Sequence, residues 1–145
     1  MFPKRQRKSG EVEVVTSQLD KSVDLASFYI SGYSLGRTNI TKVHQILQLA
    51  VIGYGYKNQV NAHFHNPLPR QTLGTSECWI VMRGKIKVNL YDTDNSPVCS
   101  RYLQKGDMAI FYSGGHSLEV FSRKAQIYEL KNGPYEGDLL DKKQI

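Results

Sequence analysis

From about residue 75 onward, polar and apolar positions fall into short segments separated by turn-forming residues. Residues 77–82 form one mainly apolar run, and Arg83-Gly84 turns the chain. Lys85-Ile86-Lys87-Val88-Asn89-Leu90 then alternates polar and apolar positions, the period-two pattern of a half-buried strand. Residues 92–97 collect Asp, Thr, Asn, Ser and Pro, a strong loop signal. Residues 98–103, 108–112, 116–121 and 125–130 read as further strands, divided by turns such as Lys105-Gly106-Asp107 and Ser113-Gly114-Gly115. Asn132-Gly133-Pro134 ends the last of them. Strands at this spacing predict an all-β sandwich or small barrel with little helix.

The first half is less regular. Residues 43–54 fit a strand or a short helix; their β-branched residues and the following Gly53 and Gly55 favour the strand. Residues 58–65 then read as its hairpin partner, 11–15 as an edge strand and 19–27 as a helical turn. No internal repeat or low-complexity run divides the chain, and 145 residues make one domain. The expected organisation is a loose basic tail over 1–10 and a single domain over 11–145.

Charge changes this picture little. The net charge is +6, and Lys4, Arg5, Arg7 and Lys8 all fall in the first ten residues. No RNA-binding motif or basic helix accompanies them, so a nucleic-acid partner is not indicated. No apolar run approaches the roughly 20 residues that span a bilayer. No apolar stretch follows the basic N-terminus as in a signal peptide, so the cytoplasm is the expected location. Cys78 and Cys99 are expected to be reduced thiols.

The candidate chemistry lies in three of the four histidines. His63-Phe64-His65 places two imidazoles at i and i+2, on one face of a strand. Two imidazoles facing a barrel interior need a partner, and a metal ion supplies one. Glu77 opens an apolar strand, where a carboxylate calls for pairing or ligation, and would share its face with Trp79 and Val81. His116 follows Gly114-Gly115, whose small residues allow a tight turn. His63, His65, Glu77 and His116 together make a nitrogen and oxygen donor set suited to one Fe, Mn, Ni or Zn ion in the divalent state, with positions left for substrate. His44 stands apart as an ordinary strand histidine, and Glu119, of opposite parity to His116, is expected to face outward.

Gly55, His63-Phe64-His65, Glu77 and Gly84 follow the order of the first cupin motif. Gly106-Asp107 and Ser113-Gly114-Gly115-His116 follow the second, and between them the matching residues run from 55 to 121. The chain therefore resembles the cupin family, in particular a subgroup of small single-domain bacterial cupins of unassigned function found with surface-polysaccharide or nucleotide-sugar genes. Two departures stand out. Eleven residues, 66–76, separate His65 from Glu77, a longer gap than is usual for cupins. Tyr112 also replaces the usual proline of the second motif. The insertion carries Pro67, Pro69 and Arg70 and reads as a rigid loop at the barrel mouth.

The resemblance implies a small jelly-roll barrel that binds or acts on a small acidic or sugar-type ligand at a mononuclear metal. Arg70, Trp79 and Tyr112 are the ligand-binding candidates, and a homodimer is the expected assembly. Three readings follow from it: a metal-dependent enzyme of the oxygenase or isomerase and epimerase classes, a non-catalytic binding module, and a metal-independent nucleotide-sugar isomerase or epimerase.

Overall fold

The computed structural model describes residues 8–145. Most of the expected basic tail lies outside them. Residues 8–10 are tied down: the Ser9 hydroxyl donates to the Ser31 carbonyl at 2.7 Å, and the Gly10 N–H donates to the Ile30 carbonyl at 2.7 Å.

The architecture is all-β, with antiparallel pairing throughout. A five-stranded sheet runs β1 (Val12–Thr16), β2 (Asp24–Tyr29), β8 (Met108–Phe111), β5 (Glu77–Arg83) and β10 (Gln126–Lys131) in spatial order. A three-stranded sheet runs β7 (Pro97–Gln104), β6 (Lys85–Tyr91) and β9 (Gly115–Val120). A separate hairpin pairs β3 (Gly36–Asn39) with β4 (Ala50–Gly53). The one helix among the described residues, α1 (Asp138–Asp141), is a single turn.

The alternation along β6 explains why the two larger sheets face each other. Ile86, Val88 and Leu90 are all but fully buried, and they meet Leu25, Phe28, Trp79, Val81 and Phe111 from the opposite sheet in one core. The intervening residues point outward into a polar grid. Lys87 Nζ lies 2.9 Å from Glu119 Oε1, and Asn89 Nδ2 donates to the same oxygen at 2.9 Å. Glu119 thus faces outward, as its parity predicts.

β2 and β8 have no solvent face. The Tyr29, Cys78 and Ile110 side chains form a second cluster with Ile40, against which Leu47, Leu49 and Val51 pack. Covering both faces of a sheet favours strands that are apolar at nearly every position, and Ala109, Ile110 and Phe111 of β8 fit this rule. Cys78 and Cys99 are not joined in a disulfide. Burial and the charge of Glu77 push the Cys78 thiol up to about 12, so it behaves as a small apolar residue.

Three expectations of the first half are corrected. Residues 19–27 are not a helical turn. The Ser17 hydroxyl accepts the N–H groups of Leu19 and Asp20 at 3.0 Å each, and the Asp20 carboxylate accepts the Ser22 N–H at 2.9 Å, so local turns deliver the chain to β2. Only the end of 43–54 is a strand, β4. Before it the Gln48 amide donates to the carbonyls of Lys42 and Gln45, closing a compact loop. That loop holds His44, which is therefore not on a strand, with Nε2 3.7 Å from Asp24. Residues 58–65 are not a strand either: β3 takes the place beside β4, and 58–65 run exposed without regular structure.

Two buried carboxylates fasten the loops. Asp92 accepts the Ser17 hydroxyl at 2.7 Å and the Gln18 N–H at 2.7 Å, joining the β1–β2 and β6–β7 loops. Asp107 accepts the Ser31 N–H at 2.8 Å and the Gln104 N–H at 2.9 Å. Replacing Asp107 with Ala leaves those two amides facing a side chain that cannot accept. Asp107→Ala is expected to lower unfolding free energy by about 2–4 kcal/mol in urea titration. A loss below about 1 kcal/mol would show that water replaces the carboxylate.

Candidate functional site

The register of the five-stranded sheet sets one row of side chains across its inner face. Lys131 of β10 pairs with Glu77 of β5, and Glu77 pairs with Phe111 of β8. One step along, Glu129 pairs with Trp79. Paired residues in an antiparallel sheet project to the same side, so Lys131, Glu77, Phe111, Glu129 and Trp79 converge. Parity on β5 is as the sequence predicts: Glu77, Trp79 and Val81 face the inner side, and Cys78 and Ile80 join the outer cluster.

His116 reaches this row from the other sheet. β8 ends at Phe111, and the turn through Gly114 carries the chain across to β9. Gly114 has φ +70, and a Cβ there would stand 2.3 Å from the Tyr91 carbonyl oxygen, so the close turn requires glycine. The His116 ring stacks on Phe111 with centroids 3.9 Å apart and planes 7° apart. Trp79 meets its edge at 5.0 Å. His116 Nε2 lies 3.6 Å from Glu77 Oε1, an ion-pair separation slightly longer than a formed hydrogen bond.

These groups border a cavity of about 780 Å³. That volume suits a small organic ligand. Its walls include Glu77, Trp79, Phe111, His116 and Glu129, and the chain from 140 to 145 closes one side. Trp79 Nε1 donates to Glu129 Oε2 at 3.4 Å. Burial pushes the Glu77 carboxyl upward, but the polar attraction of the nearby His116 ring, aided by Trp79 and Glu129, outweighs it. The net effect holds Glu77 below its ordinary 4.5. Burial raises the Tyr112 phenol.

The residues singled out from sequence divide into two groups. Glu77, His116 and Trp79 come together in the cavity. Tyr112 borders it, while its ring packs on the outer cluster and its hydroxyl donates to Ser27 Oγ at 2.9 Å. His63, His65 and Arg70 lie elsewhere, exposed on the irregular segment 54–76 and outside the cavity walls. The expected interior strand bearing His63 and His65 is absent. The His63 ring nitrogen Nδ1 is instead 2.9 Å from the Asn61 carbonyl oxygen, and the two imidazoles meet edge-on at 5.4 Å.

Of the four expected metal ligands, Glu77 and His116 lie together in the cavity, and His63 and His65 lie together on the exposed segment. Among the described residues no group of three or more His, Cys, Asp or Glu side chains is placed to hold a metal ion. Glu129 and Lys131 were not singled out as site residues. The signal for them is parity on β10, where they alternate with Tyr128 and Leu130, whose side chains are half exposed. No helix among the described residues is long and apolar enough to cross a membrane.

No family model, curated protein or solved structure matches the chain.

The lowered Glu77 carboxyl fixes the sign of a pH effect. Its charged form favours the folded state, so that stabilisation is complete above the ordinary value of 4.5 and is lost as pH falls through the lowered one. Glu77→Gln is expected to cost stability at neutral pH, with the gap from wild type closing as the solution is acidified below that range. Thermal melts across pH check this; a gap that widens in acid would reverse the assignment.

Proposed function

We propose that the chain is a cupin-like domain that binds a sugar-type ligand in this cavity, with His116, oriented by Glu77, as its acid–base group. The observation that carries this reading is the fixed imidazole: His116 is stacked on Phe111, edged by Trp79 and paired with Glu77 inside a ligand-sized space. A ring held on two sides by aromatic groups keeps its orientation, which is what proton transfer at a defined atom requires. The carboxylates of Glu77 and Glu129 accept hydrogen bonds from hydroxyl groups, and the aromatic floor takes the apolar face of a sugar ring. Among the chemistries expected from sequence, this set favours isomerisation or epimerisation by proton transfer.

Trp79 is the single tryptophan, so its fluorescence reports on the cavity directly. Titration with a panel of sugars and nucleotide sugars is expected to give a saturable emission change. Glu129→Ala is expected to weaken that binding by about tenfold or more, the value of one hydrogen bond to a charged group. Deuterium exchange at the carbon beside the keto group of a keto-sugar nucleotide is expected for wild type and lost in His116→Asn. Binding without exchange reduces the protein to a binding module, and no saturable binding across the panel rejects the sugar reading.

A metal-dependent reading has one observation in its favour: the His63 and His65 rings already sit side by side, 5.4 Å apart, on one exposed segment. It requires that segment to bring both rings to Glu77 and His116. Titration with Zn(II) or Mn(II) separates the two. In the present arrangement His63→Ala/His65→Ala takes up metal at the cavity no more weakly than wild type. A loss of 100-fold or more in the double variant would establish the arm histidines as ligands.

A further inference from the structure

We propose that Lys131 and Thr75 form an anion subsite at the mouth of the cavity, occupied here by the Asp141 carboxylate in place of a carboxylate or phosphate group of the ligand. The proposal rests on the sugar-type reading above and names the charged class within it: a sugar acid or a phosphorylated sugar.

Two donors from distant parts of the chain converge on one carboxylate. Lys131 Nζ lies 3.1 Å from Asp141 Oδ2, and Thr75 Oγ1 donates to Asp141 Oδ1 at 3.3 Å. An ammonium and a hydroxyl, each meeting a different oxygen, would serve any two-oxygen anion equally well. Their position is fixed from the sheet, since Lys131 lies opposite Glu77 in the β10–β5 register and Thr75 stands two residues before Glu77. The Tyr135 ring lies 4.6 Å from the ammonium. Asp141 lines the cavity and Lys131 does not, so the carboxylate covers the cation on its cavity side.

The segment that supplies Asp141 is weakly attached. α1 has no buried residue, and Leu139 and Leu140 are 99 % and 81 % exposed. The Tyr135–Asp138 hydrogen bond and the Lys142–Asp138 ion pair join the segment to itself and not to the sheets. Its polar holds on the sheets are the Asp141 contact with Lys131 and Thr75 and the Tyr135 ring against the Lys131 ammonium. A ligand anion that replaced Asp141 would leave Lys131 paired and Thr75 hydrogen-bonded, so the exchange strands no polar group. The neighbouring carboxylates of Glu77 and Glu129 favour a singly charged group over a doubly charged one.

The test follows the side-chain NMR signal of Lys131, assigned with Lys131→Met, in wild type and Asp141→Asn. The probes are D-glucuronate, inorganic phosphate and D-glucose. In Asp141→Asn, glucuronate or phosphate is expected to shift the Lys131 signal saturably, and glucose is not. Wild type should need about fivefold more of the same anion, because the internal pair competes. Thr75→Val should weaken anion binding without moving the Trp79 emission of the free protein. Absence of any anion-dependent Lys131 shift in Asp141→Asn overturns the subsite. The two readings fail separately. A Lys131 shift with phosphate but no Trp79 response to either sugar keeps the subsite and rejects the sugar ligand. A Trp79 response to either sugar with a silent Lys131 does the reverse.

Discussion

Four of the connections after β5 begins carry the chain from one sheet to the other: β5 to β6, β7 to β8, β8 to β9 and β9 to β10. Each must turn sharply while keeping the apolar side of both flanking strands inward. Gly84 shows how tight these corners are. Its φ is +81, and a Cβ there would lie 2.2 Å from the Lys124 carbonyl oxygen. A side chain at such a corner would push the sheets apart, and the core between Val81 and Ile86 would lose contact on both sides. The fold therefore depends on where the chain crosses as much as on which residues are apolar.

The candidate site is a product of the same constraint. β5 and β8 place Glu77 and Phe111 side by side in one sheet, and the Gly114 corner returns the chain so that His116 lands on Phe111 from the other. Stacking an imidazole on a buried phenyl ring restrains it with little cost to the rest of the core. Pairing with Glu77 then gives the buried carboxylate a further partner beside Trp79 and Glu129. Fold and site share these residues, so Phe111 serves the core and the cavity floor at once.

The second half of the fold was legible in the sequence because its strands alternate cleanly and end in Gly, Asp or Asn turns. β6 shows this best: its three apolar residues point inward and its polar ones form the outer grid. The first half was not legible. β2 is buried on both faces, so Leu25, Ala26 and Phe28 give no alternation to read, and Ser17 and Asp20 turn the chain through side-chain hydrogen bonds that no period announces. At the site, parity identified Glu77 and Trp79, and the glycine turn identified His116. His63-Phe64-His65 has strand-like alternation too, but a strand needs a neighbour as well as a pattern. β4 pairs with β3, which leaves 58–65 unpaired. A place at the cavity for Glu129 and Lys131 was not legible in the sequence, because it comes from being opposite Trp79 and Glu77, a relation of register that lies some 50 residues apart in the chain.

The charges of the cavity follow from that register. Lys131 stands beside Glu77 and is covered by Asp141, while Glu77 stands beside His116. Lys131 and Asp141 thus form one pair and Glu77 and His116 another, and the row ends at an exposed segment with no buried residue in its helix. The inner members cannot leave without abandoning a charge in a low-dielectric space, which is costly. Asp141 can leave at less cost, because a ligand anion can take its place on Lys131 and Thr75 and its helix has no buried residue. The arrangement therefore holds the imidazole and its carboxylate fixed at the inner end and makes the outer end exchangeable. A ligand that brought its own anion to Lys131 would place its uncharged ring over Trp79 and Phe111, within reach of His116.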